Sequence, residues 1–138
     1  MGYDQLIQLY FERSNALQAY WTLYVVIVGG LLAFSSMRKH PAPLTTLIVS
    51  ILFGLFAYEN HDAIQTTTRQ RLATLEAIKQ SGDSSAVRTL LEPTMNPATP
   101  GSVATTHIVS DLLTIAGLWA MEYGRRKNRR EGRDADAA

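Results

Sequence analysis

Three long apolar runs dominate the pattern of hydrophobic and polar positions along the chain. The first lies in the uncharged stretch between Arg13 and Arg38, and a second follows at 41–58. A third, weaker run lies near 106–123 and contains scattered polar side chains. A helix needs about 20 apolar residues to cross the hydrocarbon core of a bilayer. The pattern therefore predicts three membrane-spanning helices, at approximately 17–37, 43–60 and 104–123.

Helical spacing of apolar residues continues after the second run, at Ile64, Leu72, Leu75 and Ile78. This stripe predicts that the second helix leaves the membrane as an amphipathic stalk, whose apolar side needs a partner. The amphipathic segment 3–13 is the expected partner, because it emerges from the membrane on the same side. The stripe is longer than this segment can cover, so we expect the rest of it to contact another chain.

Prolines and small polar residues mark the predicted helix ends. Pro41 and Pro43 cannot continue the first helix, so they place a tight turn between two antiparallel spans. In the outer segment, 61–103, the stalk is expected to end at Ser81, Gly82 and Asp83.

A short helix at 86–91 is expected to follow, with Asp83, Ser84 and Ser85 as its N-cap residues. Residues 92–101 carry three prolines and predict a loop. Ser102 is the expected cap of a last helix at 103–130, and 131–138 is expected to be a disordered tail. The elements together predict an all-α fold, with one three-span domain at 1–130 and a helical stalk outside the membrane.

Basic residues are concentrated at two places, and they orient the predicted spans. The formal net charge is only +1, yet 124–133 holds six of the 13 basic residues. If the third run crosses the membrane, this cluster lies on the same side as Arg38 and Lys39. Cytoplasmic loops are enriched in Lys and Arg. We therefore expect a multi-pass protein of the plasma or inner membrane, with its N-terminus outside and its C-terminus in the cytoplasm.

The basic cluster after the third run is also a candidate lipid-binding site. Basic side chains beside a membrane attract anionic headgroups, by about 1 kcal/mol per residue near the surface. Nucleic acid is not expected as a partner, because no aromatic residues interleave with the cluster and no nucleic-acid-binding fold is recognisable. The candidate headgroup-binding residues are Arg125, Arg126, Lys127, Arg129 and Arg130.

Composition narrows the chemistry that the chain can perform. The mean hydropathy of −0.02 is ordinary for a soluble domain, because polar segments offset the three apolar runs. The absence of cysteine excludes disulfides, thiolate metal sites and cysteine catalysis. No motif marks a nucleophile with a base and an orienting group, so we expect no enzymatic activity. No motif indicates a cofactor.

Asp111 is the polar residue that stands out in the third run. A charge at mid-bilayer costs about 2.5–3.5 kcal/mol on insertion scales, so such residues lie near headgroups or serve a cation or a proton. His107 lies four residues earlier and shares its helix face. Histidines and carboxylates at similar depth permit a metal site, or a haem between His61 and His107, although no diagnostic spacing is present. The candidate ligands are Glu59, His61, Asp62, His107 and Asp111.

Small residues give two of the predicted spans smooth faces. Small side chains at positions i and i+4 let helix backbones approach closely, which holds helices together in lipid. Such contacts can lie within one chain or between chains. The candidate packing residues are Gly29, Gly30 and Ala33 in the first span, with Ala116 and Ala120 in the third.

Three functions remain open at the level of sequence. The first is a non-enzymatic accessory or scaffold subunit of a homo- or hetero-oligomeric membrane complex. The second is a small ion or proton channel or transporter that uses Asp111, and the third is a metal- or haem-binding redox subunit. We prefer the first, because a pore needs polar residues through the whole membrane depth. Residues 115–121 carry no polar side chain other than the indole of Trp119.

Overall fold

The computed structural model describes residues 2–81 and 86–136, without the side chains of Val87 and Asp136. Within these residues the chain is almost entirely helical and contains no strand. The elements are α1 (Tyr3–Met37), α2 (Pro43–Gln80), α3 (Ala86–Leu91), the 3₁₀ turn Glu92–Thr94 and α4 (Pro100–Asp136). The predicted all-α fold is confirmed, and α1, α2 and α4 are long and apolar enough to cross a membrane.

Proline and threonine set the helix ends that the structure describes. Pro43 occupies the first position of α2 and Pro100 that of α4, where the missing N–H of proline costs nothing. The expected cap at Ser102 is wrong, because α4 begins earlier and Thr99 caps it. The Thr99 hydroxyl oxygen accepts a hydrogen bond from the backbone N–H of Ser102 at 3.2 Å.

Two further expectations concern the segments beside the long helices. The helix α4 does not end at Arg130 but continues to Asp136, so most of the expected disordered tail is helical. The expected cap residues Asp83, Ser84 and Ser85 lie outside the described residues, as does Gly82.

The chain divides into two compact units. Unit 1 comprises Met1–Thr22 and Asn60–Thr106, and unit 2 comprises Leu23–Glu59 and His107–Ala138. The single-domain organisation expected at 1–130 stays a prediction.

The core of unit 1 joins the start of α1 to the end of α2. One cluster combines Leu6 and Tyr10 of α1 with residues of the stalk stripe and with Met95. A second cluster joins Leu17 to Ile64 and Val103. The expected partnership between the N-terminal segment and the stalk is therefore confirmed.

The expectation of surplus apolar surface on the stalk is wrong. Ile64 and Ile78 are fully buried within a single chain, and Leu75 is 6% exposed. Met95, which follows the 3₁₀ turn, and Val103, near the start of α4, supply contacts that the N-terminal segment alone does not. Three of the four stripe residues are therefore covered within the chain, while Leu72 is half-buried.

Trimming the stalk core tests this packing. Ile78→Val removes one methyl group from a fully buried site and is expected to lower the free energy of unfolding by about 0.5–1.5 kcal/mol. Ile108→Val makes the same change where the side chain is 50% exposed, and should have little effect. Thermal unfolding followed by circular dichroism in mild detergent compares the two. Equal midpoints for the two variants would contradict the burial of Ile78.

Unit 2 has polar residues inside and apolar residues outside, which is the reverse of a water-soluble domain. Its buried polar residues, each at most 4% exposed, are Ser35, Thr46, His107, Thr114 and Glu122. Large apolar residues more than 60% exposed include Val25, Val26, Leu44, Leu55 and Leu113. The helices pack closely at Gly117, where an added Cβ would lie 3.5 Å from a methyl carbon of Leu32. Polar groups thus meet inside the unit while apolar groups face out.

Candidate functional site

The first polar centre of unit 2 is built on Asp111. His107 and Asp111 lie one turn apart on α4, so their side chains share a face. Asp111 Oδ2 lies 2.9 Å from His107 Nδ1, and Asp111 Oδ1 accepts a hydrogen bond of 2.8 Å from the Tyr24 hydroxyl of α1. The two oxygens of one carboxylate thus join two helices through two different side chains.

Aromatic rings enclose this centre. His107 has no exposed surface and Tyr24 is 3% exposed, while the side chain of Asp111 retains 20%. The rings of Tyr24 and His107 lie 4.5 Å apart between centroids. Phe53 and Phe56 of α2 add two more rings beside Tyr24. An ionised Asp111 can only accept, and in that state Nδ1 of His107 carries the hydrogen of this contact.

The second polar centre surrounds Glu122, a residue that the sequence analysis did not single out. Glu122 is 1% exposed, although it is a carboxylate. Its Oε2 lies 3.1 Å from Arg125 Nη2 and 3.5 Å from Arg38 Nη2, and it accepts a hydrogen bond of 3.2 Å from the Thr46 hydroxyl. Its Oε1 lies 3.4 Å from Arg126 Nε. Buried charges need partners of this kind.

The arginines around Glu122 also close the ends of neighbouring helices. Arg125 Nη1 donates to the backbone carbonyl of Ser35 in the last turn of α1, at 2.8 Å. Arg38 Nη2 donates to the carbonyl of Ala42, just before α2, at 3.0 Å. The carbonyl groups of the last turn of a helix have no partner within that helix. The Ala42 carbonyl, which already accepts from the Thr46 N–H, gains a second donor. This centre therefore fastens α1, α2 and α4 together at one end of unit 2.

An apolar layer separates the two polar centres along α4. Leu118, 1% exposed, lies on the same helix face between Thr114 and Glu122, and Phe53 of α2 is 2% exposed. Gly117 lies against Leu32 at the neighbouring position of α4. The interior of unit 2 is thus packed with apolar groups between Asp111 and Glu122.

The candidate metal ligands do not come together as a set. The part of the chain that the structure describes contains no group of three or more His, Cys, Asp or Glu side chains that could hold a metal ion. Glu59 and Asp62 are exposed on α2, and His61 is half-buried. His107 and Asp111 are the two candidates that contact each other.

The candidate headgroup-binding residues fall into two groups. The Arg125 side chain is 11% exposed and is engaged by Ser35 and Glu122, so it faces into unit 2. Arg126 also contacts Glu122, but its side chain is 45% exposed. The other three are exposed on the surface of α4: Lys127, Arg129 and Arg130.

The candidate small-residue faces are exposed in the part of the chain that the structure describes. Gly29 and Gly30 are exposed, and an added Cβ at either would meet no atom within 4 Å. Ala33, Ala116 and Ala120 are exposed as well. Close packing within the chain occurs instead at Gly117.

Comparison with known proteins identified no relative of this chain. A scan against family models matched none, and searches among curated proteins and solved structures found no match. Function is therefore argued from the geometry of the chain itself.

Proposed function

We propose that the chain is a multi-pass membrane protein that crosses the bilayer three times and acts as a non-enzymatic scaffold or accessory subunit of an oligomeric complex. Three long apolar helices and the outward apolar surface of unit 2 support the membrane part of this proposal. In lipid, apolar side chains face out and polar groups need partners inside the protein. Tyr24, Asp111 and Glu122 have such partners.

The proposed orientation places the N-terminus outside and the C-terminus in the cytoplasm. It follows from Arg38, Lys39 and the basic end of α4, which lie on one side when three helices cross. Reporter fusions after Gly82 and after Ala138 are expected to report opposite compartments. The same compartment for both would mean that α4 does not cross.

A single observation carries the scaffold role. The face formed by Gly29, Gly30 and Ala33 is exposed, and no atom lies near either glycine where a Cβ would point. Such faces are the ones on which membrane helices pack closely. A second copy of the chain is the proposed occupant, and identical subunits usually form closed symmetric assemblies.

Filling this face tests the assembly. Gly30→Leu is expected to lower the native mass to that of a monomer, because leucine blocks close approach while its Cβ meets no atom within 4 Å. Gly54→Leu, at an equally open glycine on α2, should keep the wild-type mass. Native mass spectrometry in mild detergent and in nanodiscs compares them. A monomeric wild type in both would overturn self-assembly and leave a different membrane protein as the partner.

A second candidate function is transport of a proton or a cation through Asp111. The hydrogen-bonded contact of Asp111 with His107 and Tyr24 favours it, since buried ionisable groups in membranes often carry protons. The packed apolar layer at Leu118 and Phe53 argues against an open path for a proton or cation through a single chain. Flux into proteoliposomes that falls in Asp111→Asn would support transport, and equal flux in protein-free vesicles would exclude it.

A further inference from the structure

A groove lined by arginines lies at the basic end of α4. It is lined by Pro41, Arg126, Arg129, Arg130, Gly132 and Arg133, and has a volume of about 760 Å³. We call it the arginine groove. It includes Arg133, which the sequence analysis left out, and it excludes Arg125, which is held inside unit 2. None of the described residues that line it is acidic.

The arginines of the groove share one helix face. They occupy positions i, i+3, i+4 and i+7, which lie on the same side of a helix. Among the side chains that the structure describes, Arg129, Arg130 and Arg133 form no salt bridge. Lys127, by contrast, lies next to Glu131 outside the groove lining. Arg129, Arg130 and Arg133 therefore present cationic groups that form no salt bridge with a described side chain, whereas Arg126 also contacts Glu122.

The shape of the groove distinguishes it from a diffuse basic patch. Gly132 contributes to the lining, and an added Cβ there would meet no atom within 4 Å. Pro41, from the turn between α1 and α2, forms another part of the wall. The arginine guanidinium is suited to phosphate because it donates two parallel hydrogen bonds in a fixed plane.

The length of the arginine face indicates what kind of phosphate ligand it fits. Arg133 lies seven positions after Arg126, which corresponds to roughly 10 Å along a helix that rises about 1.5 Å per residue. A headgroup with additional phosphates can engage more of this length of helix than a single phosphodiester. In the proposed topology, on which this inference rests, Arg126 lies closest to the bilayer and Arg133 farthest from it.

We propose that the arginine groove binds one anionic phospholipid whose headgroup carries phosphate monoesters in addition to its diester. The diester lies toward Arg126 and Pro41, at the membrane boundary. The monoesters lie toward Arg129 and Arg133, farther into the cytoplasm. A soluble polyphosphate shares this chemistry, but a lipid also has its acyl chains held in the bilayer beside the groove.

Lipid binding to the purified full-length protein tests the groove. Native mass spectrometry in detergent counts the molecules retained from added phosphatidylinositol bisphosphate, phosphatidylserine or inorganic tripolyphosphate. Wild type is expected to retain one bisphosphate lipid at concentrations about tenfold below those needed for phosphatidylserine, since each additional basic contact adds to the affinity. Tripolyphosphate binding as tight as that of the bisphosphate lipid would overturn the assignment to a lipid.

Two variants distinguish binding of the lipid in the arginine groove from general attraction between basic residues and anionic lipids. Gly132→Leu fills the groove without changing its charge, and Arg129→Gln with Arg133→Gln removes two charges from it. Both are expected to weaken bisphosphate lipid binding by about tenfold or more. The matched control, Lys39→Glu, makes the same two-unit change in charge outside the groove lining and should keep selective binding. Equal weakening in the control, or normal binding in Gly132→Leu, would overturn the groove.

Membrane extraction distinguishes a failure of the groove proposal from a failure of the proposed multi-pass topology. Resistance of the wild type to alkaline carbonate, combined with a failed groove test, would overturn the groove and leave the multi-pass assignment standing. Release by carbonate would overturn the multi-pass assignment and, with it, the placement of the groove at a bilayer.

Discussion

Replacing Glu122 with leucine is expected to lower the free energy of unfolding by about 3–5 kcal/mol, the range found when one partner of a buried ion pair is removed. The side chains of Arg38 and Arg125 are only 15% and 11% exposed, so they would keep their charges without the carboxylate that now compensates them. The Thr46 hydroxyl would lose an acceptor as well. Arg126 contributes less to this loss, because its side chain is 45% exposed and water can solvate it.

Circular dichroism during thermal or detergent-induced unfolding measures this effect. Glu131 supplies the control, because it pairs with Lys127 on the surface, where both side chains are more than 60% exposed. Glu131→Leu is expected to cost less than about 1 kcal/mol. Adding Arg125→Met to Glu122→Leu should recover part of the stability, since it removes one of the uncompensated charges. A loss as small as that of the Glu131 variant would show that Glu122 is not the centre of an ion-pair cluster.

The helical architecture could be predicted because local rules determine it. Apolar runs of sufficient length, prolines at 41 and 43, and the stalk stripe located the three long helices. The end of α4 was missed because 131–136 is small and charged, yet helix formation needs only compatible residues and a helix to continue. The cap of α4 was misplaced by three residues, since Thr99 and Ser102 are equally suitable cap residues by type.

The polar centres were predicted only in part, because a sequence does not reveal which helices lie side by side. The contact between His107 and Asp111 follows from a separation of four on one helix. The contact of Tyr24 with Asp111 could not be predicted, because this hydrogen bond spans 87 positions of the chain. Glu122 carried a local signal, because Arg125 and Arg126 follow it at the spacings i+3 and i+4. The distant residues that complete the Glu122 site carried no such signal in the sequence.

The exposed small-residue face changes the interpretation of packing. By sequence, Gly29 and Gly30 could pack within the chain or between chains, and the open space beside them removes the first alternative for the described residues. For the stalk stripe the contact within one chain is the one observed, because Ile64, Leu75 and Ile78 are buried there. Any self-assembly is therefore expected to involve unit 2.

Asp111→Leu is expected to lower the free energy of unfolding by about 1–3 kcal/mol, because two buried groups each lose a hydrogen bond to the carboxylate. Those groups are the Tyr24 hydroxyl and the His107 imidazole, on residues that are 3% and 0% exposed. Tyr24→Phe removes one of the two hydrogen bonds and is expected to cost about 0.5–1.5 kcal/mol. In the double variant the two losses should not add, because both remove the same contact. Additive losses would contradict the hydrogen bond.

Asp111→Asn separates a structural role of this centre from a role in proton or cation transfer. The amide oxygen of asparagine can accept from Tyr24, and its NH₂ group can donate to Nδ1 of His107 if the ring carries its hydrogen on Nε2. Both hydrogen bonds then persist, so unfolding should be nearly unchanged while the carboxylate that exchanges a proton is gone. Stability close to wild type with lost flux would assign Asp111 to transport. Stability and assembly close to wild type, with no flux in either protein, would leave Asp111 as the polar contact that holds α1 against α4.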